Sequence, residues 1–592
     1  MPIGELTHDG PPTPEQLSLF LPVMGNLPFT ATTTVRYKEA TGTAWKMGHP
    51  LHRIRRDLAA PPPANPIPDG FAWPIIDLSP GTAYDVEVTV IDGGVSELKK
   101  ATFTTRALPP PAGPPNKMIN RSAMVQAAFR ALAPGDVIQF ANGTYHVDDL
   151  KLDVAGTASR PIYIRGQSRD GVVLIAERGI VLSLLNAGDI VIENLTLRGS
   201  GVNNRAQTAA IAFIGGVRAP QARVTVRNMS ASGVDQGIVA AQPILQFLGY
   251  NNTLFGNDTW TAAQIDTDST WNDDGINLPG RGNCAWNNTL RGFGDCFAYS
   301  ANDGDIAVGI HYYRNDTLDS GDDFIEADYS YRNCSAYDNR VHNAMTFLSL
   351  DPVYGGPYLF ARNIGINIGR VPFKWNNTNT GMFVYNNTII RTTGPQILAG
   401  EPESEAGWMQ HDNGSQRVYG YRNNILIYLG RGEQTLVLNS TAHNPIDFTH
   451  NSWFPDKIFQ WPEGTFGGLA AAYNSLPPTT PVFSGSTRRH EHDNTTVAQP
   501  WTVPVNLGAN YREAVTPSYL PTLANGMAPK NSGIAIANIT DGYSGSAPDR
   551  GAIIAGRPVV AFGDKAGILP PSSSPASPSA PLPRTPGRSA IN

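Results

Sequence analysis

Short apolar stretches that run into asparagine recur through the middle of the chain, as in IVIENLTL, LFARNIG, FVYNNTII and GYRNNILIY. These asparagines lie at Asn194, Asn228, Asn252, Asn288, Asn315, Asn333, Asn363, Asn387, Asn424 and Asn451. Consecutive members are 18 to 37 residues apart, and imperfect periods of this length indicate a repeat architecture. Each unit is too short to bury a face alone, so we expect the units to stack in parallel into a β-solenoid with an asparagine ladder inside.

The pattern changes along the chain and predicts five parts. These are an N-terminal segment (1–24), a small antiparallel sandwich of alternating strands (25–108), a proline-rich linker (109–117), the solenoid with a capping helix (118–562) and a disordered Pro/Ser-rich tail (563–592). A solenoid grows in one dimension, so its length is not limited by the size of a single core.

Composition supports an all-β chain and excludes some partners. Charged residues make up 16% of the 592 residues, with 59 glycines and 49 prolines, a balance typical of strands and turns. The formal net charge is −6 and no polybasic run occurs, which argues against nucleic acid as a partner. We recognise neither a signal peptide nor a membrane span. The three cysteines have no zinc or redox spacing and are expected to be buried thiols.

One segment of the predicted sandwich carries a family signature. In DLSPGTAYDVEVTV, the residues Leu78, Pro80, Gly81, Thr82 and Tyr84 resemble the fibronectin type III signature. The resemblance implies that the tyrosine hydroxyl pins a corner of the sandwich and that a tryptophan, Trp73 or Trp45, fills its centre. It implies a spacing or binding role and no chemistry.

The two ends of the predicted solenoid also resemble a known group. The segment PGDVIQFANGTYHVDDLKLDVAG and the later SGSAPDRGAIIAG are similar to the first and closing strands of right-handed parallel β-helix proteins, notably alginate and chondroitin lyases. The fold class expected is therefore all-β, a right-handed parallel β-helix preceded by a fibronectin type III-like sandwich. The resemblance implies a polysaccharide partner and an extracellular or cell-surface location.

Acidic residues concentrate in the middle coils. The separation from Asp274 to Asp295 is 21 residues and that from Asp295 to the pair Asp322 and Asp323 is 27 or 28, each about one coil. Equivalent positions of adjacent parallel strands lie about 4.8 Å apart. We therefore expect these acids, together with Glu326, to converge into one patch.

The patch resembles two enzyme groups. NDDGI followed by GDC is similar to the NTDG…GDD pattern of polygalacturonase-type hydrolases, which implies that Asp274 and Asp295 act as general acid and base on water; Cys296 replaces the second acid of the pattern. DDFIEADYS loosely resembles the acidic calcium-binding stretch of the lyases, which implies Asp322, Asp323 and Glu326 as possible Ca²⁺ ligands.

Elimination needs a base, and the residues at hand are Arg340, His342 and Lys374. Lys374 lies between two aromatic residues, which suggests a cleft. The residues expected to contact substrate are Trp271, His311, Tyr313, Arg370 and Trp375.

Three functions remain open at this point. Hydrolysis of a polysaccharide by paired carboxylates is favoured, because carboxylates outnumber candidate bases. The alternatives are a calcium-assisted polysaccharide lyase and a non-catalytic adhesin or spike. The structural alternative for the acids is that they satisfy turn amides or bind a calcium ion that links two coils. The expected cofactor is none or Ca²⁺.

Overall fold

The computed structural model describes residues 1–58, 63–202, 208–215, 222–258, 273–300, 304, 306–369, 372–391, 410–411, 417–429, 434–437, 444–461, 464–471, 500–505 and 519–564. Within these residues the regular secondary structure is almost entirely β-strand. A short α-helix, Val125–Arg130, follows a 3-10 turn at Ser122–Met124, and a second 3-10 turn lies at Arg56–Leu58. In the described part of the chain no helix is both long and apolar enough to cross a membrane.

The N-terminal part is a sandwich of two antiparallel sheets. In spatial order, one sheet consists of Thr7–His8, Leu17–Pro22, Gly70–Ile75 and His52–Arg53, and the other of Lys46–Gly48, Thr32–Glu39, Ala83–Asp92 and Val95–Thr104. The sandwich therefore includes two strands that precede residue 25. The strand Leu17–Pro22 is buried along most of its length, Ser18 included, so its burial does not alternate as that of Thr32–Glu39 does.

Two side chains take the positions that the sandwich signature implies. The backbone N–H of Ser79 donates to the hydroxyl of Tyr84 over 2.9 Å, which pins the corner. Trp73 is completely buried, whereas Trp45 is 36% exposed, so Trp73 fills the centre. Membership of the fibronectin type III class stays a prediction.

Most of the rest of the described chain is a parallel β-helix. One face is a twelve-stranded parallel sheet made of Gly143–His146, Val172–Ile175, Thr196–Arg198, Ser230–Val234, Thr253–Gly256, Thr289–Phe293, Asp316–Asp323, Arg340–Thr346, Ile364–Ile368, Thr388–Arg391, Ile425–Tyr428 and Ser452–Phe454. Strands pair with their equivalents in the next coil, one after another in chain order. This architecture confirms the predicted solenoid.

The remaining faces are made by a second, longer set of parallel strands. These are Lys117–Ile119, Val137–Phe140, Leu150–Ala155, Ile162–Gly166, Ile180–Glu193, Ala209–Phe213, Ala222–Arg227, Gln236–Ala240, Ile244–Leu245, Leu248–Tyr250, Asp274–Asn277, Gly280–Arg281, Cys284–Trp286, Asp295–Ala298, Ala307–Val308, His311–Tyr313, Ile325–Glu326, Ser330–Arg332, Cys334–Tyr337, Leu348–Leu350, Tyr358–Ala361, Phe373–Trp375, Thr380–Tyr385, Gln410–His411, Arg417–Arg422 and Asn444–Thr449. Gln434–Val437, Ile458–Trp461 and Gly464–Phe466 form a small separate sheet.

An asparagine ladder runs inside the coils. Its members are Asn252, Asn288, Asn315, Asn339, Asn363, Asn387, Asn424 and Asn451. Each member after Asn252 accepts at Oδ1 from the N–H and Nδ2 of the preceding member over 2.9–3.1 Å. Each amide thus satisfies buried backbone at a turn. The ladder is confirmed in outline.

Three predicted members of the ladder lie elsewhere. Asn194 and Asn228 have positive φ and occupy the position just before the ladder, which Leu195 and Met229 fill in those coils. Asn333 faces the sandwich, where its Nδ2 donates to a carboxylate oxygen of Asp9 over 3.2 Å. Two neighbouring turn positions both suit asparagine, and sequence spacing alone does not distinguish them.

The C-terminal segment 519–564 runs back along the solenoid over the twelve-stranded sheet. Arg550 donates to the carbonyl of Asn451 over 2.9 Å, and fourteen residues later Asp564 accepts from the hydroxyl of Thr253 over 2.6 Å. SGSAPDRGAIIAG lies in this segment and forms turns instead of the expected closing strand. Residues 565–592 of the predicted tail lie outside the described residues. The three cysteines are buried and unbridged, as expected.

Candidate active site

The middle coils bring the five predicted acids together. Asp274 lies opposite Asp295 in the parallel register, and in the next coil the N–H of Asp323 donates to Oδ1 of Asp295 over 2.9 Å. Oxygen atoms of Asp274, Asp295 and Glu326 lie within 4.8 Å of one another, and so do those of Asp295, Asp322 and Asp323. We call these five residues the acidic cluster. Asp295 is common to both sets.

Burial and mutual repulsion perturb the acidic cluster strongly. Burial raises the pKa of Asp295 well above its ordinary value, and the charges of Glu326, Asp322, Asp323 and Asp274 raise it further. The pKa of Glu326 is also well above the usual range, first because of burial and then because of the neighbouring acids. Like charges at this spacing disfavour simultaneous ionisation. Burial and repulsion therefore favour the protonated form in part of the cluster.

Lys374 belongs to the same face. The residues on either side of it, Phe373 and Trp375, are buried in the solenoid core, so strand alternation turns Lys374 outward. Its Nζ lies 2.9 Å from Oδ2 of Asp323. Burial lowers the pKa of Lys374, but Asp323, Asp322 and Asp328 together outweigh burial, and the net pKa is above the ordinary value. The aromatic neighbours therefore serve the core and do not form a cleft.

A row of outward residues joins the acids to the lysine. Glu326 lies opposite Ser349, and Ser349 lies opposite Lys374 in the coil after that. Two register steps separate the backbones of Glu326 and Lys374, about 9.6 Å. An acid and a base thus lie along one line parallel to the solenoid axis.

Two further residues of the site were not assigned to it from sequence. Ser349 donates from Oγ to Oδ1 of Asp328 over 3.1 Å. Burial raises the pKa of Asp328 well above its ordinary value, against the opposing effect of Lys374. Asp328 follows Glu326 by two residues in DDFIEADYS, which is the signal available in the sequence. Ser349 carries no such signal, because only the register places it between Glu326 and Lys374.

Unpartnered acceptors face this region. Oδ1 of Asp323 and Oδ1 of Asn277 are buried and have no hydrogen-bond partner among the described residues. The other terminal atom of Asn277, Nδ2, donates to Asp274 over 3.0 Å. Buried acceptors without donors are rare in folded proteins. Their presence beside an excess of carboxylates indicates a site for a cation or a hydrogen-bond donor.

Arg340 lies away from the cluster, contrary to the predicted catalytic role. Its guanidinium forms two hydrogen bonds with Asp316, of 2.9 and 2.6 Å, and both side chains are buried on the twelve-stranded sheet. Asp323 pairs with Thr346, six residues further along the strand of Arg340, which is about 20 Å of extended chain. The residue therefore forms a structural ion pair.

The predicted substrate contacts are also placed elsewhere. His311 and Tyr313 are fully buried beneath the sandwich, and Trp375 is fully buried in the solenoid core. These three are therefore packing residues. The prediction was wrong because the sequence does not distinguish the buried face of a strand from the wall of a cleft. Trp271 and Arg370 lie outside the described residues.

Comparison with known proteins reveals distant likenesses only. No family model matches the sequence, and no curated protein matches it. XylC in complex with xylose aligns with a TM-score of 0.40 and 10% identity, over 55% of this chain and 80% of that chain. The A-module of a mannuronan C-5 epimerase from Azotobacter vinelandii aligns at 0.36 and 14%, over 56% and 94%. A PL6 family polysaccharide lyase from Pseudopedobacter saltans aligns at 0.33 and 12%, over 57% and 84%. Likenesses at this level carry no argument about the chemistry of the site.

Proposed function

We propose that the protein is a polysaccharide lyase that cleaves a uronate-containing chain by β-elimination at the acidic cluster. The observation that supports this most is the pair of three-carboxylate sets, each within 4.8 Å and sharing Asp295, beside Lys374. Such a concentration of carboxylates repels a uronate unless a divalent cation is present. With a cation bound, the same site attracts the uronate carboxylate of the substrate, whose charge must be neutralised for elimination.

The residues fit a calcium ion. Ca²⁺ takes about six to eight oxygen ligands in flexible geometry, and the acidic cluster offers carboxylates from Asp295, Asp322 and Asp323 with Asp274 and Glu326 adjacent. The unpartnered Oδ1 of Asp323 is a vacant acceptor of the required kind. A bound ion would neutralise the charge of the substrate carboxylate. This would make the proton on the neighbouring carbon more acidic.

Two side chains of the row supply the proton transfers. Lys374 is positioned as the base that removes the proton next to the substrate carboxylate. It does so in its neutral form, after Asp323 has taken up the proton that the ammonium now carries. Burial and the neighbouring acids raise the pKa of Glu326, which favours its protonated form, so it is placed to donate a proton to the departing glycosidic oxygen. Ser349 and Asp328 position this pair through their mutual hydrogen bond.

Hydrolysis by paired carboxylates is the second candidate. Glu326, whose pKa is raised, could act as the general acid, and a neighbouring carboxylate such as Asp274 or Asp295 could act as the general base. However, inverting hydrolysis requires carboxyl groups about 6.5–9.5 Å apart with water between them, and the oxygens of these three residues approach within 4.8 Å. The short separation favours cation binding.

The test is a panel of polysaccharides, including alginate, pectate, chondroitin and hyaluronan, assayed with calcium and with a chelator. New reducing ends together with absorbance at about 235 nm, the signature of an unsaturated uronate, are expected for elimination. Asp323→Asn and Lys374→Met should abolish both signals, and Lys151→Met, an exposed lysine, should not. Reducing ends without absorbance would support hydrolysis instead, and tight binding without cleavage would support an adhesin.

A further inference from the structure

The sandwich is docked on the flank of the solenoid through a continuous buried interface. Gln16 donates to the hydroxyl of Tyr337 over 2.5 Å. Arg362, which is 1% exposed, bridges Asp77 of the sandwich and Asp338 of the solenoid. Apolar residues of both parts belong to one hydrophobic cluster. The sandwich is therefore integral to the folded unit and is not held only by the linker.

Three of the 11 histidines, His49, His52 and His311, contact the facing part across this interface, and His8 lies on the sandwich side, where it acts electrostatically on His311. His8 accepts at Nε2 from the N–H of Ser18 over 3.1 Å, while its Nδ1 lies 2.8 Å from the carbonyl oxygen of Gly10. This pair of contacts requires a neutral ring with its proton on Nδ1. Protonation of Nε2 would turn the first contact into a clash of two donors.

His311 and His52 are enclosed between the two parts. Nε2 of His311 lies 3.4 Å from Oγ of Ser18, and Nδ1 lies 2.7 Å from Oγ of Ser335, with the ring fully buried. Nε2 of His52 lies 3.0 Å from the carbonyl oxygen of Gly355 in the solenoid. Both rings thus span the interface.

His49 completes the group through its ring faces. It stacks on Trp73 of the sandwich with centroids 3.7 Å apart and an interplanar angle of 13°. Its Nε2 lies 3.5 Å from the hydroxyl of Tyr385 in the solenoid, and the ring of Phe383 meets its edge. Its Nδ1 lies 2.7 Å from the carbonyl oxygen of Pro50. A charge on this ring would be placed against aromatic side chains of both parts.

Burial lowers the pKa of all four histidines, to about 3 for His49 and His311 and to about 4 for His52. The ionisable groups that act on them are Asp9 for His8, His8 for His311, Arg53 and Arg55 for His52, and Arg422 and His52 for His49. Of these, only Asp9 favours the charged form. Neutral histidines are therefore a condition of docking.

The carboxylates of the interface act in both directions. Burial raises the pKa of Glu15 more than Arg314 lowers it, so acid favours the docked state at that residue. Burial also acts to raise the pKa of Asp77, but the nearby arginines outweigh it and leave a net lowering. Acid therefore opposes docking at Asp77. The two carboxylates thus act in opposite directions.

We propose that the interface between sandwich and solenoid is an acid-sensitive latch, which protonation of these four histidines opens below about pH 6. A histidine exposed by opening has an ordinary pKa of about 6.5. Each of the four histidines therefore lowers the equilibrium constant for docking by up to about tenfold per pH unit below that value. Four together reach about 10⁴-fold per unit. Opening would expose the face of Cys284–Trp286 and His311–Tyr313, independently of the proposed reaction.

Hydrogen exchange measured by mass spectrometry tests the latch on the full chain. After correction for the intrinsic exchange rate, protection of Cys284–Trp286 and His311–Tyr313 should fall more than about tenfold between about pH 7.5 and pH 5. The strand Ile364–Ile368 of the opposite sheet should change less than about threefold. Unchanged protection of the interface strands at about pH 5, or an equal loss in both regions, would overturn the proposal.

Variants separate the latch from general acid lability. His49→Phe keeps the stack on Trp73, and His311→Gln keeps contacts with the serines, but neither titrates. The double variant should reduce the acid-induced loss of protection by about 10²-fold per pH unit relative to wild type. His146→Gln, at an exposed position, should behave as wild type. A double variant with the wild-type pH dependence would show that these histidines do not operate the latch.

Discussion

Replacing one rung of the asparagine ladder tests how the solenoid is held together. Asn339 is fully buried in the middle of the ladder. Its Oδ1 accepts from the N–H and Nδ2 of Asn315 over 3.0 and 2.9 Å. Its Nδ2 donates to the carbonyl of Tyr312 over 2.9 Å and to Oδ1 of Asn363 over 3.0 Å. Asn339→Ala removes these four hydrogen bonds at once.

The cost follows from the groups left behind. The N–H of Asn315, one proton of its Nδ2 and the carbonyl of Tyr312 each lose this partner inside a coil. A buried polar group without a partner costs about 1–3 kcal/mol, so three such groups, partly relieved by relaxation, should lower the free energy of unfolding by about 3–6 kcal/mol. Because each coil contacts only its neighbours, the loss should be concentrated there.

Equilibrium urea unfolding followed by circular dichroism measures the change. Asn120→Ala is the matched control, because Asn120 is exposed and surface substitutions usually change stability by about 0.5 kcal/mol or less. Hydrogen exchange should locate the loss to the coils around Asn315 and Asn363. A change below about 1 kcal/mol for Asn339→Ala, with an unchanged dependence on urea, would refute the reasoning.

Three further predictions follow from the buried charges and the sandwich corner. The pKa of Glu326 is raised in the folded state, so the unfolded state releases the proton first as pH rises above about 4.3, and folding loses stability across that window. Glu326→Gln should therefore raise the urea midpoint at about pH 8 but not at about pH 4; an equal change at both would contradict the assignment. Arg362→Met leaves Asp77 and Asp338 without their shared cation and should lower the free energy of unfolding in urea by about 3–5 kcal/mol. Arg178→Met, at an exposed position, is the control and should have little effect. A small loss for the Arg362 variant would mean that water replaces the guanidinium. Tyr84→Phe removes the corner hydrogen bond to Ser79 and should cost about 1 kcal/mol in thermal unfolding, and no measurable change would show that the ring alone holds the corner.

Much of the fold was predictable because its rules are local. Asparagines recur once per coil since each coil makes the same buried turn, so Asn288, Asn315 and Asn363 were visible as a period. The choice between adjacent turn positions was not visible, and Asn333 was therefore mistaken for a rung while Asn339 was missed. The strand Leu17–Pro22 was not predicted either. It is buried on both faces, so buried and exposed positions do not alternate along it.

The candidate site was predictable in part. Asp274, Asp295 and Asp323 converge because their separations match the coil length and parallel strands align equivalent positions. Arg340 was misplaced because charge type says nothing about which face of a coil a residue occupies, and its partner Asp316 lies on the same sheet. Lys374 was chosen for its aromatic neighbours, yet it faces the cluster only because those neighbours face the core.

The amino-acid sequence by itself determined the repeat, the all-β class, the sandwich and the coils in which the acids lie, since periodicity and turn chemistry act over a few residues. Only the tertiary structure decided which side chains meet across coils, which face the sandwich covers and which charges lose their water. Those outcomes depend on register and burial, which join residues tens to hundreds of positions apart. The placement of Ser349 between Glu326 and Lys374, and of four neutral histidines at one interface, arises at that level.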